Sequence, residues 1–148
     1  MKITEDLIKL KELEFRNRLN GYCKTPKDRY LLLINKDLGL KEFCLYILLY
    51  DAITDWDYRH LKYGTFAINY SLLSHLIGWS PNAIRRAFNS LLKKGFVGFL
   101  GNNEYSIVGF DLREHSYKKD AYFSFYNELK KIINLNNQVL SSPNNSQD

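Results

Sequence analysis

Apolar residues recur every three to four positions in three long stretches of the chain, residues 3–19, 40–56 and 118–135. This spacing predicts three amphipathic helices, because residues three and four apart share one face of a helix. The middle stretch is almost entirely apolar from Phe43 to Tyr50. We therefore expect it to be the buried central helix.

Shorter elements lie between the second and third of these stretches. Residues 65–68 have the composition of a short β-strand, and residues 71–77 predict a two-turn helix. Either Asn69 or Ser71 is suited to cap the amino terminus of that helix. Gly78 then interrupts the helical pattern, which predicts a turn at this point.

The strongest local signals delimit a second helix, from Pro81 to about Lys94. Ser80 is a favourable N-cap, and proline is preferred at the first helical position because its missing N–H would have no partner there. Gly95 can adopt the left-handed conformation that ends a helix. Two β-like runs follow, residues 96–100 and 105–108. The glycine and asparagine between these runs predict a hairpin.

The predicted helix 81–94 has one apolar face and one polar face. We expect its apolar stripe to pack against the helix at 40–56; this stripe consists of Ile84, Ala87 or Phe88, Leu91 and Leu92. The residues of the outward arc are Asn82, Ala83, Arg85, Arg86 and Asn89. Arginine can form two parallel hydrogen bonds to guanine, and asparagine can do the same to adenine. A small residue within the arc allows the backbone to approach the groove.

The positive charge of the protein is concentrated in one segment. The chain has a net charge of +5. Residues 58–103 carry six basic residues and no acidic residue, whereas the segments on either side are close to neutral. A surface that only needs solubility usually mixes both signs. A segment without carboxylates is what a surface that contacts phosphates requires.

This order of elements resembles the winged helix-turn-helix families over residues 40–110. The likeness lies in Leu-Ile-Gly-Trp-Ser at 76–80 and in Asn-Ala-Ile-Arg-Arg-Ala-Phe-Asn-Ser-Leu-Leu-Lys-Lys-Gly-Phe-Val at 82–97. The resemblance implies that the second of these segments contains the recognition helix and leads into the wing. The layout is also similar to the amino-terminal domains of plasmid replication initiators and phage replisome organisers.

The predicted fold class is mainly α, of the α+β type, a winged helix-turn-helix with extra amino- and carboxy-terminal helices. Residues 1–39 form an amino-terminal helical extension, and residues 40–112 form the DNA-binding domain. Residues 113–135 contain a helix that we expect to support dimerisation. Residues 136–148 are rich in asparagine, serine and glutamine, which is typical of a disordered tail.

The predicted DNA-binding residues combine the recognition helix with flanking polar groups. They are Arg59, Lys62, Ser71, Ser80, Asn82, Ala83, Arg85, Arg86, Asn89, Lys93, Asn102 and Asn103. The predicted wing, residues 96–110, departs from the family because it has no lysine or arginine and contains Glu104. It is therefore either mainly structural or directed at a protein partner. Basic contacts are expected instead from the connection at residues 59–63.

Several residues whose side chains could bind a ligand or take part in catalysis are better explained as structural. His75 is interpreted as a surface residue or phosphate neighbour, and Trp79 as packing within the turn. The aromatic residues at 122–126 are interpreted as an interface on a terminal helix, with binding of single-stranded nucleic acid as the alternative. Cys23 and Cys44 lie in no metal-binding pattern and are interpreted as reduced thiols.

The most enzyme-like arrangement consists of Asp51, Asp55 and Asp57, with His60 nearby. Two carboxylates one helical turn apart can share a metal ion, as in nucleases. The simpler interpretation is the polar end of a helix. We predict no catalytic residue, metal site or cofactor, and hence a protein that is not an enzyme.

The sequence therefore predicts a cytoplasmic transcriptional regulator that binds a specific site in double-stranded DNA. It has no transmembrane segment or targeting signal. A homodimer through the terminal helices 3–19 and 118–135 is expected, since one small module contacts few base pairs. Two alternatives stay open. One is an initiator or accessory protein of plasmid or phage replication or DNA transfer, and the other is a winged-helix module for protein interaction.

Overall fold

A computed structural model describes residues 2–20, 25–57, 59–112 and 124–140 of the 148-residue chain. The protein is mainly helical and carries a small three-stranded antiparallel sheet, which agrees with the predicted α+β class. The helices are α1 (Lys2–Arg18), α2 (Leu31–Ile34, preceded by a 3-10 turn at Lys27–Tyr30), α3 (Leu40–Leu48), α4 (Tyr70–Ile77), α5 (Pro81–Lys94) and α6 (Ser124–Leu140). The strands are β1 (Thr65–Ala67), β2 (Val97–Gly101) and β3 (Glu104–Ile107).

The predicted central helix is buried, but it is shorter than expected. α3 ends at Leu48, a π-helical turn covers Leu49–Ile53, and the chain is extended at Thr54. The prediction of a helix to residue 56 was wrong at this end. The cause is tertiary: the backbone of Asp55 donates to the carbonyl of Thr65 at 3.1 Å and accepts from Gly64 at 2.8 Å. These bonds join the chain to the start of β1 and exclude further helical bonds.

The ends of α4 and α5 confirm the local signals. The Asn69 side chain accepts from the Leu72 N–H at 3.0 Å, so Asn69 and not Ser71 caps α4. Ser80 Oγ accepts from the Ala83 N–H at 3.1 Å and Pro81 occupies the first position of α5. Gly78 and Gly95 end the two helices with φ of 77° and 89°. Both values are left-handed conformations that glycine adopts without strain.

The sheet has the strand order β1-β3-β2, with antiparallel pairing throughout. The hairpin β2–β3 turns through two residues, Asn102 and Asn103, whose φ values are 50° and 62°. Positive φ at both central residues is the geometry that gives a tight hairpin the twist of its strands. β2 is an edge strand, and β3 occupies the centre of the sheet.

One hydrophobic core joins these elements. It contains Leu32 and Leu38 from the amino-terminal third, Ile84 and Phe88 from α5, and Phe125 from α6, each at most 1% exposed. The apolar stripe predicted for α5 is confirmed, because Ala87 and Leu91 are also buried and only Leu92 is partly exposed. The segments flanking residues 40–112 therefore contribute directly to the core.

The carboxy-terminal helix runs further than the sequence predicted. α6 continues to Leu140, so the disordered tail predicted from Asn136 does not begin there. Ile133 and Asn137 lie beside Gly95, where an added Cβ would be 3.2 Å and 3.7 Å from their side chains. Packing against the end of α5 accounts for helix beyond residue 135. Residues 113–123 of the predicted carboxy-terminal segment and residues 141–148 of the predicted tail lie outside the described part of the chain.

Candidate nucleic-acid interface

The outward face of α5 is polar and free of carboxylates. Five exposed side chains lie within about 100° of arc on this helix, namely Asn82, Arg85, Arg86, Asn89 and Lys93. The opposite face packs into the core through residues that are fully buried. Ala83 is half-buried at the margin of the arc. The fold therefore directs most of the predicted α5 site residues to solvent on one surface.

Arg85 is the most constrained cation of this surface. Its guanidinium lies 4.6 Å from the centre of the Tyr70 ring, and its Nη1 donates to Asn82 Oδ1 at 3.2 Å. Burial raises the pKa of the Tyr70 hydroxyl, and nearby Arg85 acts in the opposite direction. The sequence gives no signal for a role of Tyr70, because its contact with Arg85 joins residues on two different helices.

The other basic residues of α5 differ in their partners. Within the described ranges, Arg86 and Lys93 are exposed and form no ion pair. Lys94 instead contacts Glu42 Oε1 at 2.8 Å and the Asp37 carbonyl at 3.2 Å. Arg86 and Lys93 thus present uncompensated charge, while Lys94 holds the end of α5 against α3.

The amino terminus of α5 adds polar backbone to the same surface. Exposed Ser80 uses its hydroxyl to cap the Ala83 N–H. The N–H groups of a first helical turn and the positive end of the helix dipole favour anions. Ser71 is exposed in the first turn of α4, as its predicted role requires.

The connection before β1 offers less free charge than the sequence suggested. Arg59 forms a two-point ion pair with Asp57, with Nε–Oδ1 and Nη2–Oδ2 distances of 2.9 Å and 3.0 Å. Lys62 is paired with Glu104 of the hairpin. Both cations are exposed, but each has a neighbouring carboxylate that offsets its charge. A contact between either residue and phosphate requires that the carboxylate partner be displaced or shared.

The hairpin tip is held in place by one of its predicted site residues. Asn103 Nδ2 donates to the Ile68 carbonyl at 2.9 Å, which fixes the tip to the segment between β1 and α4. Asn102 is exposed in the turn. Phe99 and Leu100 of β2, which were not among the predicted site residues, are 64% and 56% exposed. Their apolar character was visible, but their exposure depends on how far α5 covers the sheet.

His75 and Trp79, for which a role in ligand binding was considered, have partners within the protein. His75 Nε2 lies 2.6 Å from Glu12 Oε1, which connects α4 to α1. Arg16 and His75 hold the pKa of Glu12 below its usual value. Trp79 is half-buried, and its carbonyl accepts from Ser74 Oγ at 2.7 Å. His75 is exposed, in agreement with its interpretation as a surface residue, and Trp79 packs against the core, in agreement with packing within the turn.

Asp51 has a different partner from Asp55 and Asp57, which share the ring of His60. Asp51 binds the buried Arg29, with a distance of 2.7 Å between Oδ1 and Nη1. The His60 ring lies between Asp55 and Asp57, at 3.0 Å and 3.2 Å. Hydrogen bonds from Arg59 lower the pKa of Asp57 to about 2. In the part of the chain that the structure covers, no group of three histidine, cysteine, aspartate or glutamate residues is arranged to hold a metal ion.

The aromatic segment at 122–126 is only partly described. Phe125 is buried against Tyr50, and Tyr126 donates its hydroxyl to Asp37 Oδ2 at 2.7 Å. Both residues therefore hold α6 against the rest of the fold. Cys44 is an exposed free thiol, and Cys23 lies outside the described residues. Across the described ranges, no helix has the length and apolar character needed to cross a membrane.

Comparison of the chain with protein-family models, with curated proteins and with solved structures finds no match in any of the three.

Proposed function

We propose that this protein binds double-stranded DNA through a winged helix-turn-helix, with α5 in the major groove. The observation that carries this proposal is the outward face of α5, where Arg86 and Lys93 have no acidic partner among the described residues and Arg85 is braced by Tyr70. α4 and the turn at Gly78 support α5 from one side, and the hairpin β2–β3 acts as the wing. Helices of this width fit the major groove of B-DNA.

The chemistry of the face supports sequence-specific recognition. Arg85 and Arg86 supply the planar donors that match the two acceptors of guanine, and Asn82 and Asn89 supply the donor and acceptor that match adenine. The capped amino terminus at Ser80 adds N–H donors for a phosphate. We propose Arg85 and Arg86 as the principal base-reading residues.

A gel-shift experiment with an Arg85→Ala, Arg86→Ala double variant tests the assignment. The duplex is one enriched by the wild-type protein from a random pool. A matched control, Arg16→Ala with Lys131→Ala, removes the same charge from exposed residues of α1 and α6. The double variant should lose preference for the enriched duplex while the control retains it. Equal behaviour of the two would overturn the proposed recognition helix.

Within this function, we propose a transcriptional regulator acting as a homodimer. Exposed leucines on α1 support self-association, since Leu7, Leu10 and Leu13 are each at least half exposed. A dimer doubles the length of DNA that is contacted. Mapping the bound site distinguishes a transcriptional regulator from a protein of replication or DNA transfer. A promoter palindrome indicates a repressor or activator, whereas repeats at an origin indicate the replication or transfer alternative.

A module for protein interaction is the second candidate function, and the exposed apolar hairpin favours it. Phe99 and Leu100 are large, adjacent and uncovered. A protein-interaction module predicts weak duplex binding that hardly depends on salt. Contact of several basic residues with phosphates predicts instead that the affinity for duplex DNA falls steeply as the salt concentration rises.

A further inference from the structure

The connection that precedes β1 closes into a loop, residues 55–64, whose two ends are joined by backbone hydrogen bonds. The Asp55 N–H donates to the Thr65 carbonyl at 3.1 Å, and the Gly64 N–H donates to the Asp55 carbonyl at 2.8 Å. The 55–64 loop carries the exposed side chains of Arg59 and Lys62. It therefore presents two cations on a segment that is anchored at both ends.

His60 lies within the 55–64 loop between two carboxylates. Its Nδ1 is 3.0 Å from Asp55 Oδ2, and its Nε2 is 3.2 Å from Asp57 Oδ2. A neutral imidazole has one N–H and one lone pair, whereas the imidazolium has an N–H on both nitrogens. A neutral ring would direct its lone pair towards one of the two anions. The arrangement thus favours the charged ring, which is exposed and can exchange protons with solvent.

The two carboxylates are fixed by bonds that do not involve the histidine. Asp55 Oδ1 accepts from the Asp57 N–H at 2.8 Å, and Asp57 Oδ1 accepts from the Arg59 N–H at 3.0 Å. The bond from the Asp57 backbone lowers the pKa of Asp55, and the bonds from the Arg59 side chain and backbone lower the pKa of Asp57. Both aspartates are therefore ionised near neutral pH, and the imidazole faces two constant negative charges.

The other charged side chains of this region come from three parts of the fold. Arg59 of the loop binds Asp57, and Lys62 of the loop is paired with Glu104 of β3. Arg18 of α1 donates to the two backbone carbonyls that precede the loop, at 2.8 Å and 3.4 Å. Among the residues that the structure describes, the imidazole has no ion pair beyond those with the two aspartates.

Protonation of the imidazole removes a net negative charge from the loop and its pairs. Three side chains there are negative and two are positive, namely Asp55, Asp57 and Glu104 against Arg59 and Lys62. Their sum is −1 when His60 is neutral and 0 when it is protonated. A negative surface repels phosphates and a neutral one does not. Histidine is the side chain whose charge ordinarily changes near neutral pH.

We propose that His60 is a pH switch that controls whether the 55–64 loop repels or accepts DNA beside α5. The imidazolium offsets Asp55 and Asp57, so that Arg59 and Lys62 can approach phosphates. The neutral ring leaves the two carboxylates uncompensated. This inference rests on the proposed function and adds regulation by pH to it. By linkage, protonation strengthens DNA binding, and DNA binding favours the protonated ring.

The test measures the affinity of the full chain for random duplex DNA at about pH 5.5 and about pH 8. Each pH is combined with salt at about 50 mM and about 200 mM. For the wild type, the loss of affinity caused by salt should be about threefold larger at the lower pH, because one further charge adds about one unit of slope. His60→Gln should bind at both pH values as the wild type does at the higher one. His60→Lys should bind at both as the wild type does at the lower one.

A second histidine provides the matched control. His75 is also exposed and also faces a carboxylate, with Nε2 at 2.6 Å from Glu12 Oε1, but it joins α4 to α1 instead of lying in the 55–64 loop. His75→Gln should therefore keep the pH dependence of the wild type. Thermal unfolding followed by circular dichroism at both pH values verifies that each variant is folded.

The outcomes separate the switch from the proposed function. If His60→Gln shows the same pH dependence as the wild type, the switch is wrong and the proposed function stands. The switch is also overturned if His75→Gln loses as much of the pH dependence as His60→Gln, or if His60→Lys binds like His60→Gln. If the wild type shows no salt-dependent duplex binding at either pH, the proposed function fails and the switch fails with it.

Discussion

The guanidinium of Arg85 lies over the ring of Tyr70, with 4.6 Å between its central carbon and the ring centre. Tyr70 is the first residue of α4, and Arg85 lies on the second turn of α5. The two helices are thus joined by a cation–π contact on the proposed DNA-facing side. Because the contact limits the rotamers of Arg85, less side-chain entropy would be lost in the proposed contact of this residue with DNA.

Removing the ring of Tyr70 should therefore weaken specific binding. Tyr70→Leu is expected to reduce affinity for an enriched duplex a few-fold, consistent with about 0.5–1 kcal/mol for an exposed cation–π contact. Tyr70→Phe keeps the ring and should bind like the wild type. Titration of labelled duplex by fluorescence anisotropy provides the measurement. A Tyr70→Leu variant with unchanged affinity would show that Arg85 does not need this brace.

Neutralising Glu104 should strengthen DNA binding, because it releases Lys62 from its ion pair. We expect Glu104→Gln to bind random duplex more tightly at low salt, with a salt slope steeper by about one unit. Glu128→Gln is the matched control, since it makes the same change of charge at the Lys131 pair of α6. Equal effects of the two substitutions would exclude a specific role for the 59–63 connection.

Asp57 should make the stability of the protein depend on acid pH. Hydrogen bonds from the Arg59 side chain and backbone lower the folded-state pKa from 3.8 to about 2. The unfolded chain therefore takes up the proton first, and the contribution of Asp57 to the free energy of unfolding is complete above pH 3.8. It is lost as the pH falls from there towards 2.

Urea unfolding at several pH values tests this dependence. Asp57→Asn should be less stable than the wild type at neutral pH, and the difference should close below pH 3.8. Asp111→Asn is the control, because exposed Asp111 has no ion pair within the described segments. A stability difference that stays constant down to pH 2 would contradict the assignment to Asp57.

The ion pair between Arg29 and Asp51 should be important for stability. Arg29 is 4% exposed, also donates to Thr25 Oγ1 at 2.8 Å, and lies 4.7 Å from the centre of the Tyr50 ring. Arg29→Met leaves Asp51 without its partner and should cost about 3 kcal/mol. Asp51→Leu combined with Arg29→Met should recover part of that loss. If the double variant is as unstable as the sum of the single variants, the pair contributes no coupling.

Local sequence signals were sufficient for the α4–α5 unit. The bounds of α5 agree with the prediction because Ser80, Pro81 and Gly95 act on their immediate neighbours. The hairpin was predicted for the same reason, since Asn102 and Asn103 tolerate positive φ. The pattern of apolar residues likewise identified the buried face of α5.

Contacts between residues far apart in the chain account for the differences between the predictions and the structure. The end of the central helix depends on bonds between Asp55 and the start of β1, ten residues away. The length of α6 depends on its packing near Gly95. The pairing of Lys62 with Glu104 joins residues far apart in the chain, so the sequence overestimated the free charge of the connection. The Asp57–Arg59 pair had a local signal, since the two residues are separated by one position.

Salt dependence of affinity for random duplex DNA is the most direct test of the central proposal. With Arg85, Arg86 and Lys93 at the interface, log Kd should rise with log salt concentration with a slope of about 3. An Arg86→Ala, Lys93→Ala variant should have a slope lower by about two units, while Arg16→Ala with Lys131→Ala leaves it unchanged. Weak binding that does not change with salt, or equal slopes for the two double variants, would contradict the account.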